Sequence, residues 1–244
     1  MHLTQEEQDM LNGARGETVR KCMKVLVTLG EIYGADHMIE VKNVHTPGVS
    51  YRVAGDAGLG YVRDASQDAK FCVPTTLNTI GIDEQDWKKI GFPEEFSHKQ
   101  LELSKAYRDL GAISTCSCTP YLNGNIPMFG EHIAWGESSA VAFVNSVIGA
   151  RTNREGGPTA LAAAITGRVP AYGYHLDENR RGTHLIQVDV ELKTDKDFAA
   201  LGYFGGKIAG KDVPVFTGIK KRPTLEQFKA LGAALASAGA VALY

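Results

Sequence analysis

Short apolar runs alternate with longer amphipathic segments along the chain, and this alternation restricts the fold more than any other sequence feature. Over residues 94–110, for example, Phe96, Leu103, Tyr107 and Leu110 fall on one stripe of a helix. Strands that alternate with helices predict an α/β fold with largely parallel sheets. The predicted strands are 38–44, 70–74, 112–118, 184–192, 213–216 and 240–244, and the predicted helices begin near residues 5, 17, 94, 138, 158, 196 and 225.

Three of these helices have recognisable N-terminal caps. Thr4 with Glu7, and Thr224 with Gln227, have the spacing at which two side chains satisfy the free amides of a first turn. Asp195 is expected to cap the helix that follows it. These local signals predict where the three helices begin.

Length and charge exclude several classes of protein. The 244 residues suffice for one large domain or two small ones. The 26 Lys and Arg against 28 Asp and Glu give a net charge of −2, which provides no general attraction for nucleic acid or an anionic membrane. No stretch reaches the roughly 18 apolar residues of a membrane span, and the polar N-terminus is unlike a signal peptide. Four cysteines are too few for a disulfide scaffold, so we expect a cytoplasmic protein.

Three polar loops follow predicted strands, at 45–50, 75–79 and 116–120. Ligands of open α/β sheets bind beyond the carboxyl ends of the strands, so all three loops are expected to face one crevice. Their small polar side chains and free backbone amides suit an anionic substrate. The alternative is that Pro and Gly only form turns here.

The cysteines are open to more than one interpretation. Cys116 and Cys118 are two residues apart and would point to the same side of a strand, where one or both could bind a metal. Cys22 and Cys72 are expected in the core, because free cysteine is commonly buried. Structural zinc needs about four ligands, and an iron–sulfur cluster needs several thiolates. These cysteines are too few to bind a cluster by themselves.

Two further polar segments are candidates for a site. Ser138 or Ser139 is a plausible N-cap of an apolar helix, with Glu137 just before it, and a helix start of this kind favours a phosphate or carboxylate. The alternative is a capped core helix with no further role. The charged segment 175–181 is either a solvated surface or a buried network beneath a site.

Long motifs in the second half of the chain resemble the aconitase X family, specifically the front part of its large subunit. They are CSCTPYLNGNIPMFGEHIAWGESSAVAFVNSVIGARTNREGGP at 116–158 and YGYHLDENRRGT at 172–183. The resemblance spans essentially the whole chain, from NGARGETVRK at 12–21 onward. It implies aconitase-like three-layer α/β domains and a hydro-lyase reaction that uses a [4Fe-4S] cluster. It also implies a small subunit that carries a swivelling domain over the site.

Two activities are implied by the resemblance. One branch of the family dehydrates (R)-5-phosphomevalonate to trans-anhydromevalonate 5-phosphate in a modified mevalonate route to isoprenoids, and the other dehydrates cis-3-hydroxy-L-proline. The stretches TCSCTPYLNGN and GEHIAWGESS look more like the phosphomevalonate branch. The expected substrate is therefore a small phosphorylated molecule.

The family's site residues match specific positions of this sequence. Cys118 matches a cluster ligand, and Glu137 is a candidate for the catalytic base or for a group that orients the leaving hydroxyl. Thr79 stands where the family often has Pro. The positions that match substrate contacts are Gly48, Val49, Ser50, Asn78, Thr79, Glu137 and Ser138.

Family members continue well past residue 244, and their other two cluster cysteines and a substrate lysine lie in that later part. We therefore expect residues 1–244 to be the N-terminal part of a catalytic large subunit, in one or two α/β subdomains, without the C-terminal cluster-binding part and inactive alone. A different class of protein, a non-catalytic α/β ligand-binding module, remains the rival. A redox role for Cys116 and Cys118 is poorly supported, because the C-x-x-C spacing is absent.

Overall fold

The computed structural model describes residues 1–244, in which nine helices and seven short strands form the regular structure. The helices are α1 (Gln5–Leu11), α2 (Glu17–Ile32), α3 (Tyr51–Asp68), α4 (Trp87–Ile90), α5 (Glu94–Leu110), α6 (Ser138–Phe143), α7 (Gly157–Thr166), α8 (Asp195–Ala209) and α9 (Leu225–Gly239). The strands are β1 (Met38–Glu40), β2 (Val44–Thr46), β3 (Thr75–Leu77), β4 (Ala134–Trp135), β5 (Arg168–Pro170), β6 (His184–Gln187) and β7 (Pro214–Thr217). A π-helical turn, Val144–Ile148, continues α6.

Two of the three capping predictions are confirmed. The Thr4 amide donates to Glu7 Oε2 at 2.9 Å and the Glu7 amide donates to Thr4 Oγ1 at 3.3 Å, so the predicted capping box starts α1. The box of Thr224 and Gln227 starts α9 in the same way. The prediction for Asp195 is wrong by one residue, because Thr194 is the N-cap of α8.

The strand predictions for 38–44 and 70–74 are both wrong. The run 38–44 divides into β1 and β2, which belong to different sheets. The run 70–74 is not a strand, because the Phe71 amide donates to Leu110 O and the Cys72 amide to Ala164 O, at 2.8 and 2.9 Å. These amides bond to the ends of two helices, and the strand begins only at Thr75.

The strand predictions for 112–118 and 240–244 are also wrong. One isolated bridge forms in the first segment, and side-chain hydrogen bonds hold the second, in place of a ladder of backbone hydrogen bonds. Within 112–118, only Ile113 pairs with a strand, through a single parallel bridge to Thr76. In the segment 240–244, Val241 O accepts from Arg154 Nη2 at 3.1 Å and Ala242 O accepts from Asn145 Nδ2 at 2.9 Å. Polar side chains of Arg154 and the buried Asn145 therefore hold this segment.

The sequence analysis missed α3 entirely. Gly55 interrupts it with φ 60° and ψ −169°, and further glycines hide its periodicity. Its buried residues are Leu59, Val62 and Ala65, on one face at spacings of three. The structure also shows β4, β5 and α4, which were not predicted.

The sheets confirm the α/β fold class. Strands β3, β2 and β4 form a parallel sheet in that order, and β6 and β7 form a second parallel pair. The pair of β1 and β5 is antiparallel. Parallel pairing brings the carboxyl ends of β2, β3 and β4 to one edge of their sheet.

The main core lies between α2, α3, α5 and α7, where Met23, Leu26, Leu103 and Leu110 are fully buried. Helices α8 and α9 pack along each other, and α9 also packs against α6. None of the helices is long and apolar enough to span a membrane.

Candidate active site

The predicted crevice loops meet at the carboxyl edge of the β3–β2–β4 sheet. The Asn78 amide donates to Thr46 O and the Gly136 amide donates to His45 O, each at 3.1 Å. The Ser117 amide donates to Leu77 O at 3.2 Å, which brings the cysteine segment to the same edge. The three loops and the segment around Glu137 therefore meet at one edge of the sheet, where the strand argument expected the loops to lie.

Cys118 and Cys116 occupy different environments. Cys118 Sγ lies 3.8 Å from Thr79 Oγ1, and the cysteine is half-buried. The backbone of Cys116 is left-handed, with φ 46°, and burial reinforced by the Glu84 carboxylate raises the pKa of its thiol. The expectation that both cysteines lie on one side of a strand is wrong, because no strand forms here.

The remaining two cysteines also differ from each other. Cys22 is buried as predicted, and burial raises the pKa of its thiol to about 11. Cys72 is exposed, which contradicts its predicted place in the core. It lies in the segment that joins two helix ends, where a strand had been expected.

The loop at 47–50 has a tightly constrained backbone. Gly48 is left-handed, with φ 71°, and Val49 is buried. Ser50 is the N-cap of α3, yet its hydroxyl makes no capping hydrogen bond. That hydroxyl is therefore not used to cap the helix.

Gly136 allows the loop at 47–50 and the segment before α6 to touch. A Cβ at Gly136 would lie 2.2 Å from Pro47 Cγ and 2.5 Å from Glu155 O. Real Cβ atoms do not approach other atoms so closely, so any other residue would push these segments apart.

Glu137 is itself the N-cap of α6, so the prediction of Ser138 or Ser139 as the cap is wrong. Its Oε2 accepts from the Ala140 amide at 2.6 Å and from Ser139 Oγ at 2.7 Å. A carboxylate of this chain thus occupies the helix start where the sequence suggested an external anion. The Oε1 atom is left for other contacts.

A buried histidine lies beneath the site. His45 is fully buried, and its Nδ1 lies 2.9 Å from Thr76 Oγ1, which also accepts from Asn125 Nδ2 at 2.8 Å. Burial lowers the pKa of His45 to about 4, so the imidazole is neutral at neutral pH. Its Nε2 has no hydrogen-bond partner. No pattern beyond its place in the loop 45–50 marked this residue.

The charged segment 175–181 fits both interpretations in part: Asp177, Glu178 and Arg181 are exposed, whereas His175 is buried and Arg180 is half-buried within a hydrogen-bond network. Arg151 donates to His175 O at 3.1 Å and pairs with Asp177 at 2.5 Å. Arg180 donates to the carbonyl of Asn145 at 3.0 Å, in the π-helical turn that follows α6. The network therefore braces the helix that Glu137 caps.

Gln100 is another functional candidate that the sequence analysis missed. It lies on α5 and is fully buried, with hydrogen bonds to backbone groups of the loops at 47–51 and 78–81. A signal existed, because Gln100 stands between Phe96 and Leu103 on an otherwise apolar stripe.

The chain by itself does not hold a complete set of metal ligands. No group of three or more His, Cys, Asp or Glu side chains is placed to bind a metal ion. Cys118 fits the role of a single thiolate ligand, since it is half-buried at the edge where the loops meet. A cluster at this place would need thiolates from outside residues 1–244.

Comparisons with known proteins agree with the α/β fold and with the family resemblance of the sequence. Residues 1–178 match the family described as aconitase X first domain, and residues 182–244 match aconitase X second domain. The chain is 52% identical over 245 residues to the phosphomevalonate dehydratase large subunit of Methanothermobacter thermautotrophicus, covering 100% of this chain and 61% of that protein. It is 34% identical over 249 residues to the cis-3-hydroxy-L-proline dehydratase of Hypocrea jecorina, covering 100% of this chain and 41% of that protein.

A solved structure is similar over the same extent. The crystal structure of Thermococcus kodakaraensis aconitase X in its holo-form superposes with a TM-score of 0.92 at 49% identity, covering 100% of this chain and 61% of that chain. The chain thus spans about three fifths of the length of its phosphomevalonate dehydratase relatives. The matched domains, the sequence identity and the shared aconitase-like α/β fold show that the chain belongs to the aconitase X family.

Proposed function

We propose that residues 1–244 are the N-terminal part of the catalytic large subunit of a phosphomevalonate dehydratase. The reaction removes water from (R)-5-phosphomevalonate to give trans-anhydromevalonate 5-phosphate, in a modified mevalonate pathway. Identity supports this branch, because it reaches 52% with a phosphomevalonate dehydratase subunit and 36% with a cis-3-hydroxy-L-proline dehydratase of Pseudomonas aeruginosa. The observation that carries the proposal is the position of Cys118 beside Thr79, at the edge where the polar loops meet.

The substrate is held by the loops at this edge. Ser50 and Ser138 supply hydroxyls, and the loop from Gly48 through Val49 supplies backbone amides. Asn78 and Thr79 contribute through their side chains, because their backbone amides already donate to Thr46 O and Asn78 Oδ1. Amides and hydroxyls fixed in place stabilise anionic groups without reorganising during the reaction. The hydroxyl of Ser50 suits this role, because it makes no capping bond to α3.

Glu137 acts on the reacting part of the substrate, as the base or as the group that orients the leaving hydroxyl. Two donors hold its Oε2, so the carboxylate keeps one orientation. Its Oε1 is then the oxygen available to the substrate. A positioned carboxylate within hydrogen-bond reach meets the geometric requirement of general base catalysis.

Cys118 supplies one ligand to a [4Fe-4S] cluster, and the later part of the large subunit supplies the other thiolates. When bound, such a cluster provides a Lewis acid for the departing hydroxyl. The name "large subunit" of the relatives supports a small partner subunit, to which we assign the swivelling domain that covers the site. All four cysteines are free, which supports a reducing compartment, and we propose the cytoplasm.

The test is an anaerobic assay of the complete large subunit that contains this chain, assembled with its small subunit. Both 5-phosphomevalonate and cis-3-hydroxy-L-proline are offered in parallel, with the formation of the dehydrated product as the readout. Turnover of the phosphate ester is expected. Turnover of the imino acid alone would overturn the branch assignment. Turnover of neither, with no cluster bound, would favour a non-catalytic binding module.

A further inference from the structure

One buried side chain, Gln100 of α5, is hydrogen-bonded to two loops of the site at once. Its Nε2 donates to Val49 O at 2.9 Å and to Ser104 Oγ at 3.2 Å. Its Oε1 accepts from the Tyr51 amide at 2.8 Å and from the Gly81 amide at 3.2 Å. Both donors and both acceptor positions of the amide are therefore used.

The two loops also touch each other beside this amide. A Cβ at Gly81 would lie 2.7 Å from Ser50 Oγ, 3.1 Å from Gln100 Oε1 and 3.3 Å from Phe96 Cζ. The segment that follows Thr79 therefore packs directly on the hydroxyl of Ser50. A small displacement of either loop changes the distance between residues 50 and 79.

Packing alone does not account for a glutamine at this position. Gln100 is 0% exposed and its neighbours on the stripe, Phe96 and Leu103, are apolar. Burial of an amide is unfavourable unless its hydrogen bonds are made. A methionine would fill a similar volume, but it would leave Val49 O and the amides of Tyr51 and Gly81 without their partner.

We infer that Gln100 is a positioning residue of the substrate site, which sets the loop 48–50 against the segment 78–81 without touching the substrate. This inference rests on the proposed function, because that proposal assigns both loops to the substrate. The consequence is specific: loss of the amide should weaken substrate binding more than it slows the chemical step. Loss of a core contact elsewhere on α5 should neither weaken substrate binding nor slow the chemical step.

The experiment compares Gln100→Met with two controls in the complete large subunit assembled with its small subunit. Leu103→Ala removes a fully buried side chain of the same helix and core, and it lowers stability without removing any hydrogen bond of Gln100. Ser104→Ala removes the one Gln100 contact that does not reach a loop. The readouts are KM and kcat for 5-phosphomevalonate, the melting temperature, and amide hydrogen exchange in peptides containing Tyr51 and Gly81.

Gln100→Met is expected to raise KM about tenfold, with a smaller change in kcat, because several backbone groups lose a partner. Exchange at Tyr51 and Gly81 should become faster, while both controls keep the wild-type KM and the wild-type exchange. An unchanged KM in Gln100→Met, or an equal rise in Leu103→Ala, would overturn the inference.

Two outcomes need a second measurement. If Gln100→Met does not fold, Gln100→Glu replaces it, because the carboxyl keeps an acceptor for Tyr51 and Gly81 and loses the amide donor to Val49. A KM like the wild type's in that variant counts against the inference. If the wild-type enzyme turns over no phosphomevalonate, the proposed function fails, and the inference is then judged by exchange alone. Equal exchange in Gln100→Met and Leu103→Ala would overturn it.

Discussion

Thr79 Oγ1 lies 3.8 Å from Cys118 Sγ, although 39 residues separate the two in the sequence. Their loops follow β3 and the bridge at Ile113, which pair in parallel at one edge of the sheet. The contact joins the proposed cluster ligand to a proposed substrate residue. A change at either residue is therefore expected to affect the same site.

Replacement of Cys118 by Ser should abolish dehydration in the complete assembly, because a hydroxyl is a poor substitute for a thiolate ligand. Iron content and visible absorption, measured anaerobically, report whether the cluster is bound. Cys116→Ser is the matched control, and this variant is expected to retain activity, since burial and the Glu84 carboxylate raise the pKa of the Cys116 thiol and so disfavour the thiolate that binds a metal. Wild-type turnover by Cys118→Ser would contradict the ligand assignment.

Replacement of Glu137 by Gln should lower kcat by about 10²–10⁴, the usual contribution of a general base. The amide oxygen of Gln can still accept from the Ala140 amide, so the α6 cap and the melting temperature should be largely kept. Steady-state kinetics with thermal unfolding separate the two effects. Ser139→Ala removes only the second donor to Glu137 and serves as the control. A kcat within a few-fold of wild type in Glu137→Gln would exclude this role.

Replacement of Gly136 by Ala should destabilise the protein by about 1–3 kcal/mol, the typical result of overpacking. The new methyl group would lie 2.2 Å from Pro47 Cγ, so two loops of the site must separate. Gly60→Ala is the control, because a Cβ there meets nothing within 4 Å and Gly60 lies in α3. That control should be neutral or stabilising by up to about 1 kcal/mol, since Ala favours helix. Chemical denaturation of both variants measures the difference, and equal free energies of unfolding would refute the clash.

The buried His45 should make the protein less stable in acid. Its pKa is lowered from 6.5 to about 4 by burial, so the unfolded chain binds the proton more readily between these values. The stability from the neutral imidazole is fully present above pH 6.5 and is lost as the pH falls toward 4. Between these two pH values, this one imidazole contributes a slope of about 1.4 kcal/mol per pH unit to the free energy of unfolding.

His45→Gln is therefore expected to flatten the dependence of the unfolding free energy on pH between 6.5 and 4. Urea denaturation at several pH values measures that slope. The exposed His98, replaced by Gln, is the control for the substitution itself. An unchanged slope in His45→Gln would show that this imidazole does not titrate as its burial requires.

Predictions from sequence succeeded where the cause was local or where a long motif was present. The stripe of Phe96, Leu103, Tyr107 and Leu110 predicted α5 with both ends correct. The strand predictions were less accurate, because the run 70–74 is as apolar as a strand. Its amides nevertheless bond to helix ends, which no property of the run itself indicates.

The candidate site was predicted in part. The order of strands and loops indicated that the loops at 45–50, 75–79 and 116–120 would meet, and the resemblance to the family pointed to Cys118 and Glu137. The role of Glu137 as the cap of α6 was not predicted, because Ser138 and Ser139 had equally suitable side chains. The backbone of the turn decides among these three residues, because Glu137 has the extended conformation of an N-cap and its side chain accepts from the Ala140 amide.

Residue types and their spacing were thus enough to establish the α/β class, the starts of α1 and α9, and membership of the family. Which distant groups would pair required the tertiary structure. Gln100 bonds to Val49, Tyr51 and Gly81, which precede it by 51, 49 and 19 residues. Hydrophobic periodicity indicates which face of a helix is buried, but not what that face will meet. A buried amide takes its partners from whatever backbone the packed chain brings within about 3 Å, and only the folded structure specifies that.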